Sequence, residues 1–177
     1  MLGYKVLDEF HKNRYGKEFC LGENYHIDGE IKFGTNGCGY HFCLHPEDTL
    51  KYVETFSRNF TLARIKASGV IKESFDRYNG VFDIYVASDL EVLSYLTEEE
   101  IFEIGLNLSP DRVKRFLQLY PLTEEEKEIF KEKYKTLELG VMQTFAFYQE
   151  RDLEAFSNPY KFLEKTKKGS YELKRWR

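Results

Sequence analysis

Apolar and polar positions alternate along the first half of the chain and recur at helical spacing along the second. Tyr4 to Leu7 reads as a short strand, and EFHKNRYGKEF as a polar connection. LGENYHIDGEIKFGTNG carries four Gly, which predicts hairpins and turns. Gly39 to Leu44 is apolar enough for a buried strand, with Tyr40, Phe42 and Leu44 on one face and His41 and Cys43 on the other. Pro46 suits the first position of a helix running to Phe56, with Thr49, Val53 and Phe56 on one face. From Phe60 to Lys72, Leu62, Arg64 and Lys66 alternate with Ala63, Ile65 and Ala67, a strand pattern. VFDIYVAS after Gly80 gives another strand.

The character changes from about residue 89. Thr97 with Glu100, and Thr123 with Glu126, are capping-box pairs ahead of apolar runs. Ser109-Pro110 and Asn158-Pro159 are further helix starts. From Thr123 on, Phe130, Tyr134, Leu137, Val141, Phe145 and Tyr148 recur at spacings of 4, 3, 4, 4 and 3, one continuous apolar face that Gly140 ends or kinks. Strands followed by helices predict an α+β fold, a β-rich N-terminal half with one helix packed against a helical C-terminal half. The expected organisation is 1–96 β-rich, 97–164 helical and 165–177 a basic tail. The stripe is too apolar to face water, so the whole is expected to fold as one cooperative unit.

Composition changes this picture little. In 177 residues, hydrophobic residues are 42% and charged residues 32%, which suits a packed core and not disorder. Aromatics reach 16%, enough for an aromatic core or a stacking pocket. The net charge of −4 gives no blanket attraction to nucleic acid. It is unevenly spread: Lys165 to Arg177 carries +5 and the remainder −9. The basic segment Lys165–Arg177 is therefore a candidate contact for phosphate or an acidic partner. No stretch reads as a signal peptide or membrane span, so an intracellular, cytoplasmic protein (host cytoplasm or virion, if viral) with a protein partner is expected.

All three Cys (Cys20, Cys38, Cys43) and all four His (His11, His26, His41, His45) lie between residues 11 and 45. Their spacing forms no CxxC pair, and Cys38 and His45 lie at the ends of the predicted strand that carries His41 and Cys43, so no metal is expected. A Cys–His nucleophile pair has no sequence mark of an exposed thiol. The block GYHFCLHPEDTLKY pairs a strand with a helix start, an arrangement that can line a ligand cleft.

That block resembles the second motif of ADP-ribosyltransferases of the poly(ADP-ribose) polymerase type. Gly39, His41, Phe42 and Tyr52 take the positions of the motif's Gly, Tyr, Phe and helix Tyr. The resemblance implies NAD or nucleotide binding in a cleft by Gly39, Tyr40, His41, Phe42 and Tyr52. The early strand offers Tyr4 and Lys5 where that family places an Arg or His, and the late strand offers Asp83, with Glu91 beyond, for its Glu. Over about the first 95 residues the chain also resembles an uncharacterised domain of phages and large DNA viruses. That match rests on Tyr4-Lys5, Gly22 with Tyr25, the block Gly39 to Cys43, Pro46, Asp48, Tyr52 and Ala87-Ser88. It implies a viral or mobile-element origin and no activity. The expected function is a non-enzymatic interaction or structural accessory protein without cofactor. The alternative is an ADP-ribosyltransferase-like protein binding NAD.

Overall fold

The computed structural model describes residues 1–33, 38–53, 57–76, 81–134 and 138–175, without the side chains of 75, 76 and 81–83. The fold is α+β, with a β-rich N-terminal half and a helical C-terminal half. The chain divides into two compact units, Met1–Glu54 with Asn59–Ile101, and Thr55–Arg58 with Phe102–Arg177.

The first unit is built from β1 (Leu2–Asp8), β2 (Asn24–His26), β3 (Tyr40–Cys43), β4 (Phe60–Asp76) and β5 (Val81–Tyr95), all paired antiparallel. The two long strands form a hairpin. β1 lines the outer edge of β4, from Leu2↔Lys66 to Asp8↔Phe60. β3 joins β1 at Tyr4↔Cys43 and β5 from Tyr40↔Ala87 to Cys43↔Ile84. The pairings β1–β4–β5–β3 thus return to β1, and the sheet closes on itself, which leaves fewer exposed edges.

Strands this long can close only by bending, and bulges supply the bends between Arg64 and Ile65, Ser68 and Ile71, and Ser74 and Asp76. At the middle bulge Gly69 adopts φ +70°. The Val70 amide, which the bulge takes out of the ladder, donates instead to Ser88 Oγ at 2.9 Å. Inside the ring pack Leu7, Phe19, Tyr40, Phe42, Tyr85 and Leu90, with Ala63, Ala67 and Ala87 making room for the rings.

Several boundaries differ from the sequence expectation. β5 runs to Tyr95, past the change of character set at residue 89. The Pro46 helix is one short turn, α1 (Pro46–Thr49), followed by a 3-10 turn to Tyr52, and Val53 is extended (φ −80°, ψ 126°). Phe56 lies outside the described residues. Thr49 Oγ1 donates to Pro46 O at 2.5 Å, a back-bond that competes with helix continuation. The Gly-rich stretch 21–37 contributes only the three-residue β2 among its described residues.

α2 (Glu98–Leu106) leads into the second unit, which holds α3 (Pro110–Leu119), α4 (Glu124–Lys133) and α5 (Leu139–Gln149). Both capping boxes form: Glu100 N donates to Thr97 Oγ1 at 3.2 Å, and Thr123 with Glu126 closes the same loop on α4. The single helix expected from Thr123 to Tyr148 is two. α4 stops at Tyr134 (ψ 50°) and α5 begins after Glu138, with Gly140 in its first turn. Phe130 stacks on Phe145 with ring centroids 5.4 Å apart, so the stripe folds back on itself. Leu137 lies outside the described residues. Phe116, Leu117, Tyr120, Phe130, Val141 and Phe145 are fully buried in this unit. Gly105 permits α2 to meet α3, since a Cβ there would lie 2.3 Å from the Phe116 ring. Arg58 belongs to this unit too: it sits over the Tyr120 ring, donates to Pro121 O at 2.9 Å and pairs with Glu126.

Asn158-Pro159 starts a 3-10 turn (Pro159–Phe162) and not a helix. What reads as a tail then forms a hairpin, β6 (Leu163–Lys165) with β7 (Tyr171–Leu173), turning where Gly169 has φ +81°. Among the described residues no helix is long and apolar enough to cross a membrane.

Candidate functional site

β1 alternates Gly3, Lys5 and Leu7 on its core-facing side with Tyr4 and Val6 on the other. Leu7 is part of the ring's core, and a Cβ on Gly3 would strike the Phe42 ring at 2.5 Å. Lys5 therefore stands in an apolar row. Its amine donates to His41 O at 2.9 Å and lies 5.2 Å from the centroid of the Phe19 ring.

A second amine reaches the same ring from the connection after β1. Asn13 Oδ1 accepts from the amides of Tyr15 and Lys17, both at 3.0 Å, and forms a tight turn closed by Gly16 at φ +79°. Phe19 follows and inserts into the core, while Lys17 lies across three rings. Its Nζ is 4.8 Å from the centroid of Tyr40, 5.0 Å from Tyr25 and 5.9 Å from Phe19. It donates to Tyr40 Oη at 2.8 Å, and that hydroxyl donates to His26 O at 3.2 Å. Arg14, at the tip of the turn, lies over Tyr15 and donates to its hydroxyl at 2.7 Å.

Lys5, Arg14 and Lys17 have carbonyls, hydroxyls and aromatic faces for neighbours. Among the described residues no carboxylate pairs with any of them. Burial lowers the Lys5 pKa to about 8; Cys43 opposes that shift, and Arg14 and Lys17 reinforce it. His41 is pushed down to about 4, by burial first and then by the charges of Lys5 and Arg14, so its ring is neutral at physiological pH. In both cases burial is the larger cause, and the neighbouring positive charges add to it.

The five residues expected to line a cleft divide between the two faces of β3. Tyr40 and Phe42 point into the core, Phe42 stacked on Tyr85 at 5.5 Å. His41 stands edge-on to Phe33 at 5.6 Å, and Tyr52 packs by Cys43 and Ile84 on that opposite side. Gly39, at φ +133°, lies against Val86 and Ile31. Tyr40, through its hydroxyl, and His41, through its carbonyl, touch the cationic cluster. Lys5, Arg14 and Lys17 were not expected as a site. The one available signal was a lysine on the apolar side of GYKVL. Asp83's side chain lies outside the description; Glu91 pairs with Lys66 at 3.9 Å.

The cysteines and histidines clustered in sequence are dispersed in space. Cys38 is exposed, Cys43 buried, and His11 stacks on Tyr95 at 3.8 Å. Among the described residues no three His, Cys, Asp or Glu side chains form a group that could hold a metal ion.

One further polar cluster contains a serine, a histidine and two aspartates. Ser88 Oγ donates to Asp89 Oδ2 at 2.5 Å, and the His26 ring meets Asp89 at 2.6 Å and Asp28 at 3.1 Å. The order is wrong for a nucleophile, because the hydroxyl proton points at a carboxylate and not at the imidazole. The cluster instead pins β2 to β5 at His26↔Asp89. Asp89 first and Asp28 next raise the His26 pKa above 6.5, while Ser88 and His26 lower that of Asp89. The raised His26 value stabilises the fold fully below pH 6.5, and that contribution disappears as pH rises through the folded pKa. An NMR titration should place His26 above 6.5, and Asp89→Asn should bring it down. A His26 midpoint at or below 6.5 in the unaltered protein would refute the pairing.

No family model, curated protein or solved structure matches this chain.

Proposed function

We propose that this is a non-enzymatic accessory protein whose β-rich unit binds an anionic group, a phosphate or a carboxylate, through Lys5, Arg14 and Lys17. The observation that carries the reading is that Lys5 and Lys17 meet at the Phe19 ring, with Arg14 close enough to act on Lys5 and His41, and that among the described residues no carboxylate pairs with the three. Rings, hydroxyls and a carbonyl contact the three side chains but leave the net charge uncompensated, and a half-buried amine among like charges costs stability. A bound anion removes that cost. The exposed lysines of the β6–β7 hairpin, Lys165, Lys167 and Lys168, extend the same preference towards an acidic protein partner.

A second reading, an ADP-ribosyltransferase-like protein that binds NAD or another nucleotide, keeps one supporting observation. Lys5, on the early strand, bonds to the backbone of the Gly39–Phe42 block. The resemblance to the phage and viral domain bears on origin and leaves activity open.

The test is thermal unfolding with inorganic phosphate, NAD or chloride at matched ionic strength. Phosphate at about 100 times its Kd should add about 2.7 kcal/mol. The gain should fade as pH rises through about 8, where Lys5 loses its proton. Lys5→Met with Lys17→Met should abolish it. NAD outperforming phosphate would favour the nucleotide reading; stabilisation no greater than that from chloride would end both.

A further inference from the structure

We propose that Lys5 Nζ is a reactive amine that captures a small carbonyl compound as an imine, with a preference for aldehydes bearing a carboxylate or phosphate. That preference rests on the anion-binding reading; the reactivity of the amine does not.

The argument starts from where the amine is held. Lys5 shares the core-facing row of β1 with Gly3 and Leu7, and its register partner on β4 is Ala63. Lys5 as a residue is half-buried, and its amine is fixed by one hydrogen bond, to His41 O at 2.9 Å, beside the Phe19 ring. A carbonyl accepts a hydrogen bond from a neutral amine as well as from an ammonium. Lys5 can therefore lose its charge, keep that bond and present its lone pair. Solvated lysines remain protonated and unreactive, whereas a desolvated lysine beside other cations becomes a nucleophile.

The titratable groups around the amine are Arg14 and Lys17 from the turn, and His41 and Cys43 from β3. Arg14 and Lys17 disfavour the charged amine, the neutral His41 ring adds no charge, and Cys43 alone favours it. The midpoint of about 8 agrees with this geometry. The same two cations offer the countercharge for an acid group on the ligand.

The step balances without oxidant or reductant. The amine lone pair attacks the carbonyl carbon, the C–N bond forms, and the carbonyl electron pair moves to oxygen, which takes up a proton. The C–O bond then breaks as the nitrogen lone pair forms C=N, and the oxygen leaves as water, which carries the equivalent of the two hydrogens lost from the amine. The product is C=N on Lys5 and one molecule of water.

The experiment uses the full folded chain. It is incubated with glyoxylate, an anionic aldehyde, or with propanal, a neutral one. Sodium cyanoborohydride then fixes any imine, and peptide mass spectrometry locates the label. Both probes should mark Lys5 at least tenfold faster than any other lysine, with a rate that rises through about pH 8. Unfolding in urea should erase the preference. Lys5→Arg, checked for fold by circular dichroism, should remove the fast label. Lys17→Met should reduce labelling by glyoxylate more than by propanal. Fast propanal labelling of Lys5 without any advantage for glyoxylate would support the amine and count against the anion reading. Labels spread evenly over exposed lysines would overturn the amine, even if phosphate still stabilised the protein.

Discussion

Gln149→Leu is expected to cost the helical unit roughly 3–6 kcal/mol, the sum of several buried polar groups left without partners at about 1–3 kcal/mol each. Gln149 is buried at the end of α5, and its amide is fully used. Its oxygen accepts from Leu122 N at 2.8 Å, and its nitrogen donates to Leu117 O at 2.7 Å and Tyr120 O at 2.9 Å. These three backbone groups flank the chain reversal between α3 and α4, where no helix ladder can satisfy all of them. Leucine matches the volume and fills none of the three roles. Since whole domains are stable by about 5–15 kcal/mol, the loss is a large share of the total. Calorimetry reads it directly. A change below about 1 kcal/mol would mean that the amide is dispensable and the reversal is held by packing alone. The same scan tests whether the chain is one cooperative unit, as the sequence suggests. A single transition that moves as a whole supports it; a second transition left in place would assign the β-rich unit its own stability.

The parts of the fold that could be read from sequence are those whose cause is local. Thr97 with Glu100 and Thr123 with Glu126 sit three residues apart, and both boxes form. The alternation of Ala63, Ile65 and Ala67 with Arg64 and Lys66 is a period of two that any half-buried strand imposes. β5 beyond Ser88 was harder, because the bulge shifts the inward row from Tyr85 and Ala87 to Leu90 and Val92. A reader of periodicity meets that phase slip as the end of a strand. The break at Tyr134 was hidden for the opposite reason. α4 and α5 feed one core, so the apolar spacing runs unbroken while the chain turns round. Spacing records which residues are buried and carries no direction.

The cationic cluster was out of reach because it is made by pairing between distant segments. Lys5 meets His41 only because β1 pairs with β3, and Lys17 meets Tyr40 only because the Asn13–Gly16 turn folds back. The GYHFC block stands out in the sequence, and its Tyr40 and Phe42 rings serve the core. What it gives the cluster is one carbonyl and one hydroxyl. A resemblance carried by side-chain identities finds the block and not that contribution.

Gly39→Ala is expected to destabilise the β-rich unit by about 2–5 kcal/mol, combining backbone strain and overpacking of about 1–3 kcal/mol each. At φ +133° the backbone is in a region that side chains rarely enter. A Cβ there would lie 2.3 Å from Val86 Cγ2, 3.0 Å from Ile31 Cγ2 and 3.3 Å from Ala87 O. Val86 and Ile31 are both buried, so neither gives way cheaply. The double variant Gly39→Ala, Val86→Ala relieves the tightest contact, the one to Val86 at 2.3 Å, and keeps the strain. It should still be less stable than Val86→Ala alone, a comparison made by chemical denaturation. Equal stability would mean that φ at residue 39 relaxes freely. The consequence reaches the cluster, because residue 39 sets where β3 begins. A shift there moves Tyr40 Oη from Lys17 and His41 O from Lys5, so phosphate stabilisation should fall in step with the loss of fold. The glycine that heads the block is then explained by the corner it turns against Val86, with no ligand needed beside it.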